Sequence, residues 1–314
     1  MTLAPGVSFV VPVYNKAPYL PVLLHGLSCQ RGDFAREYIF IDDGSTDGSA
    51  ELLSSRTAKW PEVTLLRQSN QGPSVATNRG IEAARYDMIK FVDADDLLLP
   101  DATQFLREAL ETYPAASMAY GLGQKYQSEA AAFAAVNTPS ATPMTRAPSV
   151  RVEPALPTLL RHLLLGPSQC LTRTALAQGV GGCDRRIFVQ DYSLLLRLAA
   201  RGPFAAVDAV VTMAPEQAPG RLNDGGPQTA HDLNLALSYF LADHMLAPGV
   251  EARAIRRALT RAWLWARRRE GAGLFSRWLL IRVLGYLPLA SLRRVLLRQS
   301  CAAFAGGNVR LMPR

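Results

Sequence analysis

Three polar clusters in the first hundred residues are equipped to hold a metal ion or a phosphorylated ligand. They are Asp42-Asp43-Gly44-Ser45-Thr46-Asp47, the pair Asn70-Gln71-Gly72 and Asn78-Arg79-Gly80, and Asp93-Ala94-Asp95-Asp96. Alternate aspartates such as Asp93 and Asp95 can bring two carboxylates to one cation where a chain turns. Hard divalent ions such as Mn²⁺ or Mg²⁺ prefer such oxygen ligands and share them with substrate phosphates. Asp96 adds a third carboxylate, and the three repel one another unless a cation or water screens them. Taken singly, each cluster has a plainer reading. Residues 93–96 also read as a solvated turn, residues 42–49 as a turn and helix N-cap, and the Asn and Gly pairs as loop and packing residues.

The secondary structure around these clusters follows from periodicity. Val7 to Val13 is an apolar, β-branched run and reads as a buried parallel strand, as does Glu37 to Ile41. Val63 to Arg67 and Met88 to Val92 read as the third and fourth strands. Helical spacing occupies Tyr19 to Leu27, the stretch through Ala50 and Leu53, Ser74 to Ala84, and the stretch from Leu99-Pro100-Asp101 to Glu111. Ser45 or Thr46 is the expected cap of the second helix. Strict alternation of strand and helix implies a mostly parallel, doubly wound sheet, with ligands outside the carboxyl ends of its strands. Tyr14-Asn15, Asp42-Asp43 and Asp93-Ala94-Asp95 each follow such an end, so these three polar stretches converge on one rim. Further on, Met118 to Tyr126 reads as an edge strand and Ala130 to Pro148 as a loop. Leu156 to Leu165 reads as a helix, and Cys170 to Arg173 as a short strand. Gln190-Asp191-Tyr192 opens an amphipathic helix, Val207 to Met213 is another strand, and beyond Ala230 the pattern is helical.

Composition sets the outer bounds. The 314 residues, 49% hydrophobic, provide ample core for one or two domains. The net charge of +8 is concentrated in the tail. Residues 251–314 carry fourteen Arg against two acids, and the first 250 residues carry 20 basic against 24 acidic groups. This asymmetry calls for a polyanionic partner. Trp263, Trp265, Phe275, Trp278 and several leucines lie among the arginines, which suits an interfacial helix on an anionic membrane surface. A helical subdomain with a solvated basic face is the plainer account, and no nucleic-acid motif accompanies the charge. The most apolar stretch, Leu274 to Leu297, is broken by arginines and a proline and is too short to cross a bilayer. Four widely spaced cysteines and the lack of a signal-like start fit reduced thiols in a cytoplasmic protein. The four histidines are scattered and read as structural or solvated. The organisation expected is a domain over 1–215 and a helical, arginine-rich region over 216–314.

The order and spacing of the clusters carry a resemblance. Val10-Val11-Pro12-Val13-Tyr14-Asn15, Asp42-Asp43-Gly44-Ser45-Thr46-Asp47, Asn70 through Ile81, and Phe91-Val92-Asp93-Ala94-Asp95-Asp96 together resemble glycosyltransferase family 2. The likeness resumes at Val180-Gly181-Gly182-Cys183-Asp184 and at Gln190 to Leu198. It implies a GT-A fold, Rossmann-like, with a mostly parallel sheet flanked by helices and a C-terminal helical extension. It implies a nucleotide-sugar donor, UDP being the commonest nucleotide, a glycan or lipid-linked acceptor, and a divalent cation, Mn²⁺ or Mg²⁺. The implied donor site comprises Pro12, Tyr14, Asn15, Asp42, Asp43, Asn70, Gly72, Asn78, Asp93 and Ala94. Tyr14 would stack on the base, Asp42 would bind its edge, and Asp43 would sit near the ribose. Asp93 and Asp95 would hold ribose and metal, Asp95 more directly. Asp191 stands at the place of the catalytic base, in a reaction expected to invert the anomeric centre.

Two departures matter. Thr77 stands where the family usually has an arginine that neutralises donor phosphates, so Arg79, Lys90 or the metal is expected to do more here. Gln190 stands where a glutamate often precedes the base. Asp191 also reads as a first-turn acid favoured by the helix dipole. Arg221, beyond the last strand, is either a phosphate-facing arginine or a surface one. A nucleotidyltransferase or a dinucleotide oxidoreductase would carry a glycine-rich phosphate loop that the chain lacks. A non-catalytic nucleotide-sugar-binding or scaffold protein of the same fold stays open.

Overall fold

The computed structural model describes residues 3–137, 147–161, 165–217, 226–269, 271–304, 309–310 and 312. Arg221, His162 and residues 138–146 lie outside them. The chain divides into two compact units. One comprises Met1–Leu156, Leu164–Cys183 and Leu198–Pro219, and the other Pro157–Leu163, Asp184–Arg197 and Gly220–Arg314. Asp191 therefore falls in the second.

The first unit begins with four strands and three helices in alternation: β1 (Ala4–Val13), α1 (Leu20–Ser28), β2 (Arg36–Asp42), α2 (Ser49–Arg56), β3 (Val63–Arg67), α3 (Pro73–Ala83) and β4 (Tyr86–Phe91). These four strands run parallel in the order β3-β2-β1-β4. The order reverses at β1, which leaves a crevice past the carboxyl ends of β1 and β4. Phe9, Val10, Val11, Ile39, Phe40 and Ile41 are fully buried, as near-continuous apolar runs require when helices cover both faces. Pro12 is tolerated in this central strand because the β4 pairing ends at Val10 with Phe91. Its missing N–H falls on that side, beyond the last pair.

The remaining strands make the sheet mixed. They are β5 (Leu97–Leu98), β6 (Met118–Tyr126), β7 (Val150–Glu153), β8 (Cys170–Arg173) and β9 (Phe204–Pro215). Among the described residues nine strands form one sheet, continuing past β4 as β8-β6-β9-β5, with β7 also on β9. The expectation that Met118 to Tyr126 is an edge strand is corrected. It lies between antiparallel β8 and parallel β9, and its first four residues are buried accordingly. The helices here are α4 (Ala102–Thr112), α5 (Glu129–Asn137), α6 (Ala155–Arg161), α7 (Thr174–Gly179) and α8 (Gln190–Ala199). Helix α5 corrects the expected loop from Ala130. Its five alanines have the highest intrinsic helix propensity, and Ala132 and Val136, four apart, are both buried.

The second unit is built mainly from α9 (Pro227–Asp243), α10 (Pro248–Arg269), α11 (Arg277–Leu284) and α12 (Ala290–Ser300). Helix α10 packs on α11 and α12, and α9 on α12. Ala254, Ala258, Ala262 and Ala266 recur every four residues along α10 and are all buried. This small-residue stripe lets neighbours approach, while Arg257 faces outward and Arg261 turns in to donate to Asn234 Oδ1 (2.8 Å). Trp278 and Phe304 close the core against Ala262 and Ala266. Among the described residues no helix is long and apolar enough to cross a membrane.

Candidate functional site

The loop after β1 is laced onto the loop after β2. The Asn15 amide donates to Ser45 Oγ (3.0 Å), and the Thr46 amide donates to Asn15 Oδ1 (2.8 Å). The Lys16 amide donates to Ser49 Oγ (2.9 Å), and the Ala17 amide to Asp47 Oδ2 (2.9 Å). Asn15 adopts φ 51°, a left-handed conformation that asparagine accepts more readily than most residues. The lacing leaves Tyr14 41% exposed beside half-buried Pro12. Asp42 is buried and accepts from the Ser45 amide (3.2 Å). The expected cap of α2 is corrected: Gly48 holds the N-cap position, and the side chain that takes the Ser49 amide is that of Asp47 (3.0 Å). Against the burial that would raise it, hydrogen bonds from Ser49 and Ala17 hold the Asp47 carboxyl below its ordinary range.

Asp43 organises the loop from Gln68 to Gly72. Its carboxylate accepts from Gln68 Nε2 (2.8 Å), the Gln71 amide (2.8 Å) and the Gly72 amide (2.9 Å). Two glycines permit that approach. Gly44, at φ 77°, passes so near that a Cβ there would lie 2.9 Å from the Asn70 nitrogen, and Gly72 has φ 86°. Asn70 is exposed on this loop. Asn78 points elsewhere: Nδ2 donates to the Cys183 carbonyl (2.9 Å) and Oδ1 accepts from the Cys183 amide (2.7 Å). It fastens α3 to the turn at residues 181–183 and does not line the rim by its amide.

Across the crevice, Asp93, Ala94, Asp95 and Asp96 form a turn closed by the Asp96 amide on the Asp93 carbonyl (3.0 Å). The Asp93 amide donates to Ser168 Oγ (2.9 Å), and the Tyr126 hydroxyl reaches the Asp95 carbonyl (3.4 Å). Ala94, Asp95 and Asp96 are buried, and Asp93 is half-buried. Lys16 Nζ lies 2.8 Å from Asp95 Oδ2 and so bridges the loops after β1 and β4. Lys90 is not available to donor phosphates, which corrects that expectation. It is fully buried, its ammonium held by the Ser168 and Cys170 carbonyls, and burial pushes its pKa down to about 8 despite Cys170, Asp96 and Asp93 nearby. Arg79 donates to the Arg67 carbonyl (2.8 Å) and Gln68 Oε1 (3.3 Å). Thr77 is buried, and its hydroxyl has no hydrogen-bond partner among the described residues.

The donor set suits a divalent ion of the kind that binds one or two carboxylates and completes its shell with substrate phosphates. Among the described residues no group of three or more His, Cys, Asp or Glu side chains is placed to hold a metal ion by itself. The Lys16 ammonium on Asp95 marks where positive charge is attracted.

Asp191 opens α8 in the second unit, where it is half-buried and accepts from the Tyr192 amide (2.7 Å). Burial, and secondarily the charge of Asp232, pushes its carboxyl up to about 6. Asp232 accepts from the Val189 amide (2.8 Å) and from Gln228 Nε2 (3.0 Å), and lies 2.7 Å from His231 Nδ1. It thereby fixes the turn that carries Asp191. A carboxylate with a pKa near neutrality, on a fixed turn, has the properties of a general base.

Residues 8–144 match the sequence profile of glycosyl transferase family 2. Over those residues the chain is similar to glycosyltransferase family 2. The glycosyltransferase YibD of Escherichia coli, itself uncharacterized, is 43% identical over 93 residues, which are 30% of this chain and 27% of that protein. Less than a third of that relative's length is therefore matched. Two solved structures share the GT-A fold. S. aureus TarS 1-349, in complex with UDP-GlcNAc, has a TM-score of 0.64 at 15% identity and covers 94% of this chain and 91% of its own. The mannosyltransferase PcManGT of Pyrobaculum calidifontis, in complex with GDP-Man and Mn²⁺, has a TM-score of 0.58 at 19% identity, covering 97% and 87%.

Sequence reasoning missed Lys16, Ser168 and Asp232 as site-building residues. Lys16 was the findable one, since it directly follows Tyr14-Asn15 at the strand end. Ser168 and Asp232 lie 75 and 43 residues from the groups they hold, and no local pattern flags them.

Proposed function

We propose that the chain transfers a sugar from a nucleoside-diphosphate donor, UDP-sugar in the first instance, to a hydroxyl of a glycan or lipid-linked acceptor during cell-surface polysaccharide synthesis. The observation that carries this reading is the crevice past β1 and β4, where exposed Tyr14 stands near the Lys16–Asp95 pair. Tyr14 and Pro12 receive the nucleobase, with Asp42 at its edge. The loop held by Asp43, with Asn70 and Gly72, walls the ribose and phosphates. Asp93 and Asp95 hold a divalent cation, Mn²⁺ or Mg²⁺, which when bound offsets charge on the departing diphosphate. Lys16 adds positive charge at the same rim, where Thr77 supplies none. Asp191 takes the proton from the acceptor hydroxyl as that oxygen attacks the anomeric carbon, with inversion. General-base help of this kind contributes roughly 10²–10⁴ in rate. The arginine-rich second unit meets an anionic membrane surface on the cytoplasmic side, where a lipid-linked acceptor is presented.

A nucleotide-sugar-binding scaffold is the second reading, favoured by the Thr77 hydroxyl, unpartnered among the described residues, where related enzymes carry an arginine. The test is thermal stability with UDP, GDP, dTDP and CMP, each with and without Mn²⁺. At a hundredfold excess over Kd a ligand of the folded state contributes about 2.7 kcal/mol. One nucleotide should raise the melting point only with metal, and Asp95→Asn should abolish the rise. No shift at millimolar nucleotide rejects the donor site. A shift with no donor hydrolysis or transfer selects the scaffold.

A further inference from the structure

The second unit ends in a surface that water does not suit. Helix α11 and its flanks are apolar on opposite sides. Its inner side carries Trp278, buried in the core with Phe304, and Ile281 packed against it. Its outer side carries Leu280 and Val283, and Leu274 and Phe275 precede the helix. Phe275 is fully exposed, Leu274 is 73% exposed, and Leu280 and Val283 are 58% and 54% exposed. Tyr286 and Leu289 continue the exposed apolar run past the helix end. Apart from Arg277 and Arg282, α11 carries apolar side chains on both its inner and its outer side, and such a helix is normally covered on both, by protein or by lipid. A continuous exposed patch of this kind marks a contact surface.

The charge around the patch identifies the contact. Arg277 is exposed at the first turn of α11, and Arg267, Arg268 and Arg269 are exposed at the end of α10. Several arginines are held over aromatic rings. Arg256 lies 4.8 Å from the Tyr286 ring centroid, Arg282 lies 4.9 Å from that of Trp263, and Arg269 lies 5.4 Å from that of Trp265. From residue 251 onward the sequence has two acids, Glu251 and Glu270. Glu251 is consumed by a bidentate pair with Arg294, at 2.8 Å through both oxygens. A second copy would bring an identical arginine-rich face against this one, with like charges opposed. An anionic bilayer offers acyl chains to the apolar side chains and phosphates to the arginines.

We propose that residues 274–289 are a membrane-docking element. Its outer apolar side chains enter the headgroup and acyl boundary of an anionic bilayer, and the surrounding arginines bind lipid phosphates. This deepens the reading that the acceptor is met at a membrane, but the surface stands on its own observations.

The experiment is flotation of the full chain with vesicles of phosphatidylcholine alone and of phosphatidylcholine with phosphatidylglycerol at 7:3. The chain floats with the anionic vesicles and not with the neutral ones. Phe275→Ser with Leu280→Ser lowers the partition at least about tenfold, as expected for two apolar side chains that no longer insert. Arg267→Gln and Arg268→Gln each lower it about fivefold, and added salt lowers it further. Equal flotation on both vesicle types, or no loss in the serine pair, overturns the proposal. So does sedimentation of the wild-type chain as a dimer that the serine pair dissociates, since a second copy then covers the patch. Nucleotide-dependent melting is followed in parallel. A chain that floats on anionic vesicles but shows no nucleotide shift upholds this surface and rejects the donor site.

Discussion

Asp191→Asn separates a catalytic carboxylate from a structural one by the sign of its effect on stability. Burial raises this carboxyl from 3.8 to about 6, so the folded chain holds the proton more tightly than the unfolded chain. The contribution of Asp191 to stability is therefore fully present below about pH 3.8 and is lost as pH rises through about 6. Each tenfold gain in proton affinity corresponds to about 1.36 kcal/mol, so the rise amounts to about 3 kcal/mol of penalty at pH 8 and less than about 1 kcal/mol at pH 4. Asparagine keeps an oxygen for the Tyr192 amide and carries no charge to desolvate. The variant should be more stable than wild type by about 2–3 kcal/mol at pH 8, with the gain mostly gone at pH 4. Urea unfolding followed by tryptophan fluorescence reads this directly, because Trp263, Trp265 and Trp278 lie in the same unit as Asp191. Transfer should fall by about 10²–10⁴, and the wild-type rate should decline below about pH 6 as the base protonates. If asparagine destabilises at both pH values by about 0.3–1 kcal/mol, Asp191 is a first-turn acid serving the helix dipole. If stability rises but transfer survives, burial is right and the assignment as base is wrong.

Asp43→Ala leaves two loop amides and the Gln68 side chain without their acceptor and should cost about 2–4 kcal/mol. Calorimetry checks it, and a melting point within about 1 °C of wild type would refute the account. Lys16→Met removes the cation seated on Asp95 and should tighten Mn²⁺ binding about fivefold in a titration followed by electron paramagnetic resonance, consistent with about 1 kcal/mol for a partly exposed pair. Unchanged or weaker Mn²⁺ binding shows that Lys16 does not compete there.

The parallel half of the sheet and its rim were legible from local pattern. Val7 to Val13, Glu37 to Ile41 and Met88 to Val92 are apolar runs that only a sheet covered on both faces accommodates. The polar residues that end them must then emerge on one side. Periodicity sufficed for that, and the family resemblance added which polar residue does what. Long-range contacts settled the rest. Met118 to Tyr126 became an interior strand because β8 and β9 arrive from far along the chain to pair with it. The polar groups at the rim separated by partner rather than by type. Asp43 turned inward to hold the 68–72 loop, Asn78 turned to Cys183, Lys90 vanished into the core, and Lys16 reached Asp95 across 79 residues of chain. An aspartate in a motif can bind a ligand or a backbone amide with the same chemistry. Which of the two it does depends on which unsatisfied donors the fold brings within hydrogen-bonding distance, and that is not written in the spacing of the motif.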